Sequence, residues 1–184
     1  MDCRKRSTIR SCASFSRTSC ASGGSSALST PRPSSRDRKS ARPPKRVPGG
    51  EIDEPVRARC DEPAPPELIR GIEQFNAGEF FDQHETLELL WRDTRTPVRG
   101  LYHGILQVGV GFHHWSNGNF HGASTLLDEG IERLRPFAPR CQGVEVDTLI
   151  AGATAARDRL IALGADGMRS VEVAAIAPQI RFTP

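Results

Sequence analysis

The pattern of apolar and polar residues divides the chain near residue 64. Before that point large apolar residues are scarce, and Ser, Arg, Pro and Gly dominate. From Pro65 onward, apolar residues recur with the 3.6-residue period of an amphipathic helix. A segment with little apolar surface cannot offset the entropy of ordering its backbone. We therefore predict a disordered tail over residues 1–63 and one helical domain over residues 64–184.

The helical period and the Gly and Pro breaks predict an all-α fold, a compact bundle of about five helices arranged as stacked helical hairpins. The predicted helices run from Pro65 to Asn76, from Glu79 to Arg92, from a Thr96-Pro97 cap to Trp115, from Phe120 to Arg135, and from Glu145 to Leu163. We expect the last twenty residues to form an extended tail that lies on the bundle.

A Gly-x-Phe sequence recurs after forty residues, at Gly78 to Phe80 and again at Gly118 to Phe120. Each copy falls at a predicted bend between two helices. The repeat therefore suggests two helical hairpins, in the manner of tetratricopeptide-like folds, although those repeat at about 34 residues.

The net charge changes sign between the two parts of the chain. Residues 1–50 hold 12 Lys and Arg against two acidic residues, whereas the remainder holds 13 basic and 20 acidic residues. An acidic domain repels phosphate backbones, so we do not expect the folded domain to bind nucleic acid. Other partners stay unknown, and a homo-oligomer is left open.

The basic tail lacks the apolar stretch of a secretory signal. Its Arg-rich and acid-poor composition matches an organellar transit peptide, a plain disordered tail, or an extension from a misplaced start codon. We favour the last two, because nothing amphipathic is visible in the segment. No stretch is apolar enough for a membrane span.

The five cysteines contain no C-x-x-C pair and predict neither a disulfide framework nor a zinc ribbon, so we expect a reducing, cytoplasmic setting.

Two ionisable residues fall on the predicted apolar face of the second helix. Counting about 100° per residue from Phe80, His84 lies at about 40° and Glu88 at about 80°. Glu85 lies on the border of that face, at about 140°. Buried ionisable groups need a partner, a change of protonation or a metal.

The third helix is apolar around most of its circumference. The exception is a polar stripe that holds His103, Gln107 and His114. Residues 103 and 114 are about 16 Å apart along an ideal helix axis, so only part of this stripe can join His84 and Glu88.

One hypothesis is a divalent metal site with His84, Glu88 and His114 as ligands. Two His and a carboxylate suit zinc, iron or manganese and leave positions open for substrate. Glu85 would then act as general base, with Gln107 placing a bound water or the substrate. The string departs from the H-E-x-x-H motif, because its fifth residue is Glu88.

The alternative hypothesis gives the same residues a structural role. His84 would bond Glu88 or Gln107 across a helix interface, and Glu88 would pair with Arg92 four residues on. The large aromatic residues would form the core; they are Phe75, Phe80, Phe81, Phe112 and Trp115.

Residues 75–92 (FNAGEFFDQHETLELLWR) resemble the hallmark of the domain-of-unknown-function 309 family. The resemblance continues through residues 104–107, His114 and residues 117–123, and covers roughly residues 65–135. It implies a compact helical bundle, sometimes labelled a predicted metal-dependent hydrolase, with no substrate assigned. The family's motif residues match His84, Glu85, Glu88, Trp91, Gln107 and His114, whereas the basic leader lies outside the pattern.

Two functions are therefore expected. The first is a metal-dependent hydrolase with a His/Glu site between the second and third helices. The second is a non-catalytic helical-hairpin interaction module whose His/Glu cluster is structural.

Overall fold

The computed structural model describes residues 52–184, and the tail predicted to be disordered lies, up to residue 51, outside the described residues. Five α-helices follow one another and account for most of the described chain. They are α1 (Pro66–Asn76), α2 (Phe80–Asp93), α3 (Arg99–Ser116), α4 (Phe120–Leu134) and α5 (Val146–Gly167). The predicted all-α bundle of stacked hairpins is confirmed.

The predicted helix ends differ most from the observed ones at the start of α3 and at the end of α5. Thr96 and Pro97 were expected to cap α3, but the helix begins at Arg99, and no side chain caps its first turn. The backbone oxygens of Thr96 and Pro97 instead accept from the N–H groups of Arg99 and Gly100. Helix α5 extends past Leu163 to Gly167, across a break in helical geometry at Gly164, where φ is 67°.

The forty-residue repeat corresponds to two matching bends. Gly78 joins α1 to α2 with φ at 80°, and Gly118 joins α3 to α4 with φ at 71°. Positive φ is costly for residues with a Cβ atom, which explains glycine at both bends.

A further glycine in each hairpin, Gly71 in the first and Gly111 in the second, allows its two helices to pack closely. A Cβ atom on Gly71 would lie 2.6 Å from Leu87 Cδ2, and one on Gly111 would lie 2.9 Å from Leu127 Cγ. Both leucines are fully buried. Each leucine therefore packs directly on the backbone of its partner helix. Gly71 and Leu87 of the first contact correspond, forty residues later, to Gly111 and Leu127 of the second.

Helix α3 lies at the centre of the bundle, between α2 and α4. Eleven of its eighteen residues are buried. Gly104 and Gly130 bring α3 and α4 close, since a Cβ atom on Gly130 would lie 3.0 Å from the Val108 backbone nitrogen. Burial on several sides explains why the sequence of α3 is apolar around most of its circumference.

The segment before α1 is attached to the helical domain. Arg57 donates hydrogen bonds to the backbone oxygens of Ala138 and Arg140. Cys60 forms a disulfide with Cys141, 81 residues away. The expectation that the cysteines form no disulfide was therefore wrong for Cys60 and Cys141. Two cysteines so far apart carry no spacing signal, and only the folded chain brings them together.

A short β-hairpin and the chain end complete the domain. Strands β1 (Arg140–Cys141) and β2 (Val144–Glu145) pair antiparallel. The positive φ angles of Gln142 and Gly143 suit a two-residue hairpin turn. The last residues include two short 3-10 turns before they extend, a feature that the apolar pattern did not predict. Ile180 is then buried and exchanges two hydrogen bonds with the Asn76 side chain.

None of the helices between residues 52 and 184 is both long enough and apolar enough to cross a membrane.

Candidate functional site

His84 and Glu88 lie together on α2, but at the edge of its buried face. The His84 Nε2 and Glu88 Oε2 atoms are 4.0 Å apart, and the two side chains are 37% and 39% exposed. Arg92 Nη1 lies 3.7 Å from the other Glu88 oxygen, which extends the pair into a ladder.

The buried line of α2 explains why these residues are more exposed than predicted. That line consists of Phe80, Gln83 and Leu87. Phe81, which was assigned to the core, is 55% exposed, so its inclusion shifted the predicted face towards His84 and Glu88. Measured from the centre of the line that is actually buried, Glu88 is rotated by about 110° around the helix axis.

Glu85 is exposed on α2, on the side opposite the buried line. This places the predicted general base in solvent.

Gln107 is buried and lies between α3 and α4. Its Nε2 donates to Glu129 Oε2 at 2.7 Å. Its Oε1 accepts from Arg133 Nε, also at 2.7 Å. Both partners are charged, so these are charge-assisted hydrogen bonds, which are stronger than neutral ones. Gln107 is therefore committed to α4 and not to the His84–Glu88 pair.

His114 takes part in the bend between α3 and α4. Its Nδ1 lies 3.1 Å from Asn119 Nδ2, while Asn119 Oδ1 caps α4 by accepting from the Gly122 N–H. Because the Asn119 oxygen is used by the cap, its amide nitrogen is the donor to His114. His114 thereby stabilises the cap of α4.

The predicted ligands are consequently divided among different partners. Within residues 52–184, no three His, Cys, Asp or Glu side chains are arranged so that they could share a metal ion.

A second polar cluster lies where α2, α3 and α4 meet. The Trp91 and His103 rings stack with centroids 4.1 Å apart, and the Arg99 guanidinium lies 5.4 Å from the Trp91 ring centroid. Burial lowers the pKa of His103 to about 4, and the positive charges of Arg133 and Arg99 add to this effect. His103 is therefore neutral at pH 7.

Sequence reasoning missed Gln83, which is fully buried. Its Nε2 donates to the Ile105 oxygen, while its Oε1 has no hydrogen-bond partner. The amide packs against Gly109, where an added Cβ atom would collide with it. Its position three residues after Phe80 and four before Leu87 was the available signal. The roles of Arg133 and Glu129 carried no such signal, because they depend on how α4 packs on α3.

An open cleft of about 730 Å³ lies beside the disulfide and includes Arg57, Cys60 and Arg140 in its lining. None of the predicted site residues lines it.

The comparisons with known proteins concern the region from α1 to α4. Residues 68–126 match the family model described as Domain of unknown function (DUF309). The resemblance to that family is confirmed over these residues, which include all of the predicted site residues. No curated protein and no solved structure matches the chain. The match carries no activity with it.

Proposed function

We propose that the helical domain is a non-catalytic helical-hairpin binding module in which the predicted site residues are structural. The observation that carries this proposal is the set of partners found for the polar side chains. Gln107 binds Glu129 and Arg133, His114 binds Asn119, and His84 lies beside Glu88.

The three pairings differ in their expected contribution to stability. Gln107 is buried and bonded to two charged groups, so its replacement removes two charge-assisted hydrogen bonds at once. The His84–Glu88 pair is more than one-third exposed, and such pairs contribute about 0–1 kcal/mol. A structural role therefore predicts a large effect at Gln107 and a small one at His84.

A metal-dependent hydrolase is the second candidate. It is favoured by the position of His84 and Glu88, which lie side by side on α2 and are both partly exposed to solvent. Glu85 lies next to them on the exposed side of the same helix. Zinc, iron or manganese bound there would need further ligands beyond these two side chains.

The experiment is chemical denaturation of the full chain with single substitutions. Gln107→Leu should lower the free energy of unfolding by about 1–3 kcal/mol, because it removes two charge-assisted hydrogen bonds at a buried position. His84→Ala should change it by less than about 0.5 kcal/mol. Gln179→Leu, at an exposed position near the chain end, is the matched control for the substitution itself.

A Gln107→Leu variant as stable as the Gln179→Leu control would remove the support for a structural role. Turnover of an ester, amide or phosphoester by the full chain, lost in His84→Ala, would establish the hydrolase instead.

A further inference from the structure

Residues 52–64 form a strap that leads into α1 and buries very little of itself. Cys60 is the one buried residue between positions 52 and 64. The two large apolar side chains of the strap, Ile52 and Val56, are both exposed. Apolar burial, which holds the five helices together, therefore contributes little to holding the strap on the domain.

Hydrogen bonds and one covalent bond attach the strap to the domain. At its start, the Ile52 N–H donates to the backbone of the loop between α2 and α3, at 3.2 Å. The exposed Arg57 guanidinium donates to two backbone oxygens at and just before β1, at 2.6 and 2.9 Å. The Cys60 oxygen accepts from the Gln142 N–H at 2.6 Å. Each such bond replaces a bond to water and adds little on balance, so the disulfide from Cys60 to Cys141 is the principal attachment.

The strap also forms part of the open cleft of about 730 Å³, which brings solvent to the disulfide. Cys60 belongs to the lining of this cleft, together with the strap residues that follow it up to Ala64. Residues of the β1–β2 hairpin and of the chain end make up much of the remaining lining. Cys141 is fully buried and does not line the cleft. Because a thiolate attacks only a sulfur that it can reach, exchange begins on the Cys60 side.

We propose that Cys60 and Cys141 form a thiol–disulfide exchange site through which a dithiol controls the attachment of the strap. One thiolate of the dithiol attacks the Cys60 sulfur, the bond to the Cys141 sulfur breaks, and Cys141 leaves as a thiolate. The second sulfur of the dithiol then displaces Cys60 from the mixed disulfide. The dithiol is oxidised by two electrons to a disulfide, the protein disulfide is reduced to two thiols, and the two protons of the dithiol end on these thiols. The inference goes beyond the proposed binding function and is independent of it.

Reduction detaches the strap and leaves the helices in place. The strap contributes a single buried residue, Cys60, to the hydrophobic core, so the packing of the helices does not depend on it. Detachment removes one part of the cleft wall and frees the Gln142 N–H, which the Cys60 oxygen occupies in the attached form. The redox state of the disulfide therefore decides whether the cleft is present.

The experiment is limited trypsin digestion of the full chain with and without prior reduction. The substitutions Cys3→Ser, Cys12→Ser and Cys20→Ser are introduced first, so that the thiols counted by alkylation and mass spectrometry belong to the remaining pair. One sample stays oxidised. The other is reduced with dithiothreitol in the absence of denaturant and then desalted under anaerobic conditions, because trypsin itself contains disulfides.

Two arginines report on different parts of the fold. Arg57 lies in the strap, whereas Arg70 is exposed within α1 and is the control site. We expect dithiothreitol to yield two thiols and to make cleavage after Arg57 at least about tenfold faster, because a disulfide that closes a long loop suppresses opening of the segment it anchors. Cleavage after Arg70 should keep its rate, since α1 stays folded. Cys60→Ser should be cleaved after Arg57 at the reduced rate with or without dithiothreitol.

Several results would overturn the proposal. Two free thiols in the air-oxidised chain, or a disulfide that resists dithiothreitol until the chain is denatured, would show that no dithiol acts on this pair through the cleft. Equal cleavage after Arg57 in both samples would show that the hydrogen bonds alone hold the strap. Equal acceleration after Arg57 and Arg70 would show that the disulfide is a structural cross-link of the whole domain.

Discussion

The two helical hairpins, α1–α2 and α3–α4, share their construction but not their surroundings. Each has a glycine at its bend and a glycine–leucine contact between its helices. In the first hairpin α1 buries four of its eleven residues, whereas its counterpart in the second hairpin, α3, buries eleven of eighteen. The glycine and leucine positions therefore define the hairpin, and the position of each hairpin in the bundle decides how much of it is buried.

The comparison also reveals one fully buried position that is polar in the first hairpin and apolar in the second. Gln83 of α2 corresponds, forty residues later, to Ala123 of α4, and both are fully buried. The small side chain of Ala123 leaves no polar atom to satisfy. Gln83 leaves its Oε1 without a partner and fills the space beside Gly109. A core position of the repeated hairpin thus carries an amide in one copy only.

The largest expected effect comes from breaking the leucine contact in each hairpin. Leu87→Ala and Leu127→Ala should each lower the free energy of unfolding by about 2–5 kcal/mol, because each leaves a cavity in a fully buried site. Leu89→Ala, on the same helix as Leu87 but 62% exposed, is the control. Urea denaturation measures all three.

Substituting the glycine that each leucine packs against tests the same contact from its other side. Gly71→Ala alone should destabilise the domain by about 1–3 kcal/mol, since the new Cβ atom collides with Leu87. Combined with Leu87→Ala it should cost much less than the sum of the two single changes, because the smaller side chain makes room. Strict additivity would contradict the direct contact between Gly71 and Leu87.

A smaller effect is expected where the two hairpins meet, at the stack of Trp91 on His103. The pKa of His103 is lowered to about 4 in the folded state, below the unfolded value of 6.5, so the unfolded chain binds more protons between these values. Stability should therefore fall as the pH drops from 7 towards 4. The contribution of His103 is about 2 kcal/mol after allowance for solvent screening.

The measurement is the free energy of unfolding at pH 7.5 and pH 4.5, for the wild type, for His103→Gln and for the exposed-site control His121→Gln. His103→Gln should reduce the difference between the two pH values, whereas His121→Gln should retain it. An unchanged pH dependence in His103→Gln would show that His103 is not desolvated between the hairpins.

The smallest expected effect concerns the position that distinguishes the hairpins. Gln83→Met keeps the length of the side chain and removes both the unpaired buried oxygen and the Nε2 donor to the Ile105 oxygen. Because Ile105 lies inside α3, its oxygen keeps a helical N–H partner, so the loss of the unpaired oxygen should prevail and raise the free energy of unfolding by about 1 kcal/mol. Gln179→Met, at an exposed position, controls for the substitution. A loss of stability in Gln83→Met would mean that the hydrogen bonding of the amide stabilises the core by more than its unpaired oxygen costs.

The sequence contained most of the fold and little of the site. Helical periodicity placed all five helices, and the repeated Gly-x-Phe placed both bends, because these features depend on residues close in the chain. The prediction that Thr96 caps α3 was wrong, because a turn closed by backbone hydrogen bonds precedes the helix and ends at Val98. The disulfide between Cys60 and Cys141 could not be predicted, because only long-range packing brings these cysteines together.

The candidate site was harder for a related reason. A helical wheel shows which residues share a face, but the orientation of that face was inferred from aromatic residues, and the exposed Phe81 displaced it. Gln107 was recognised as part of a polar stripe on an otherwise apolar helix, yet its partners, Glu129 and Arg133, lie more than twenty residues further on. Such pairings follow from the packing of α4 on α3, which periodicity does not specify.

The most direct test of the central claim, that the predicted site residues are structural, is the metal content of the full chain. The protein would be purified without chelator, loaded separately with zinc, iron or manganese, dialysed, and measured by elemental analysis beside His84→Ala. Because cysteine thiolates are themselves metal ligands and the tail contains cysteines, only the difference between the two proteins is informative. We predict no difference. About one equivalent of metal that is retained by the wild type and lost in His84→Ala, with the fold intact, would contradict the account.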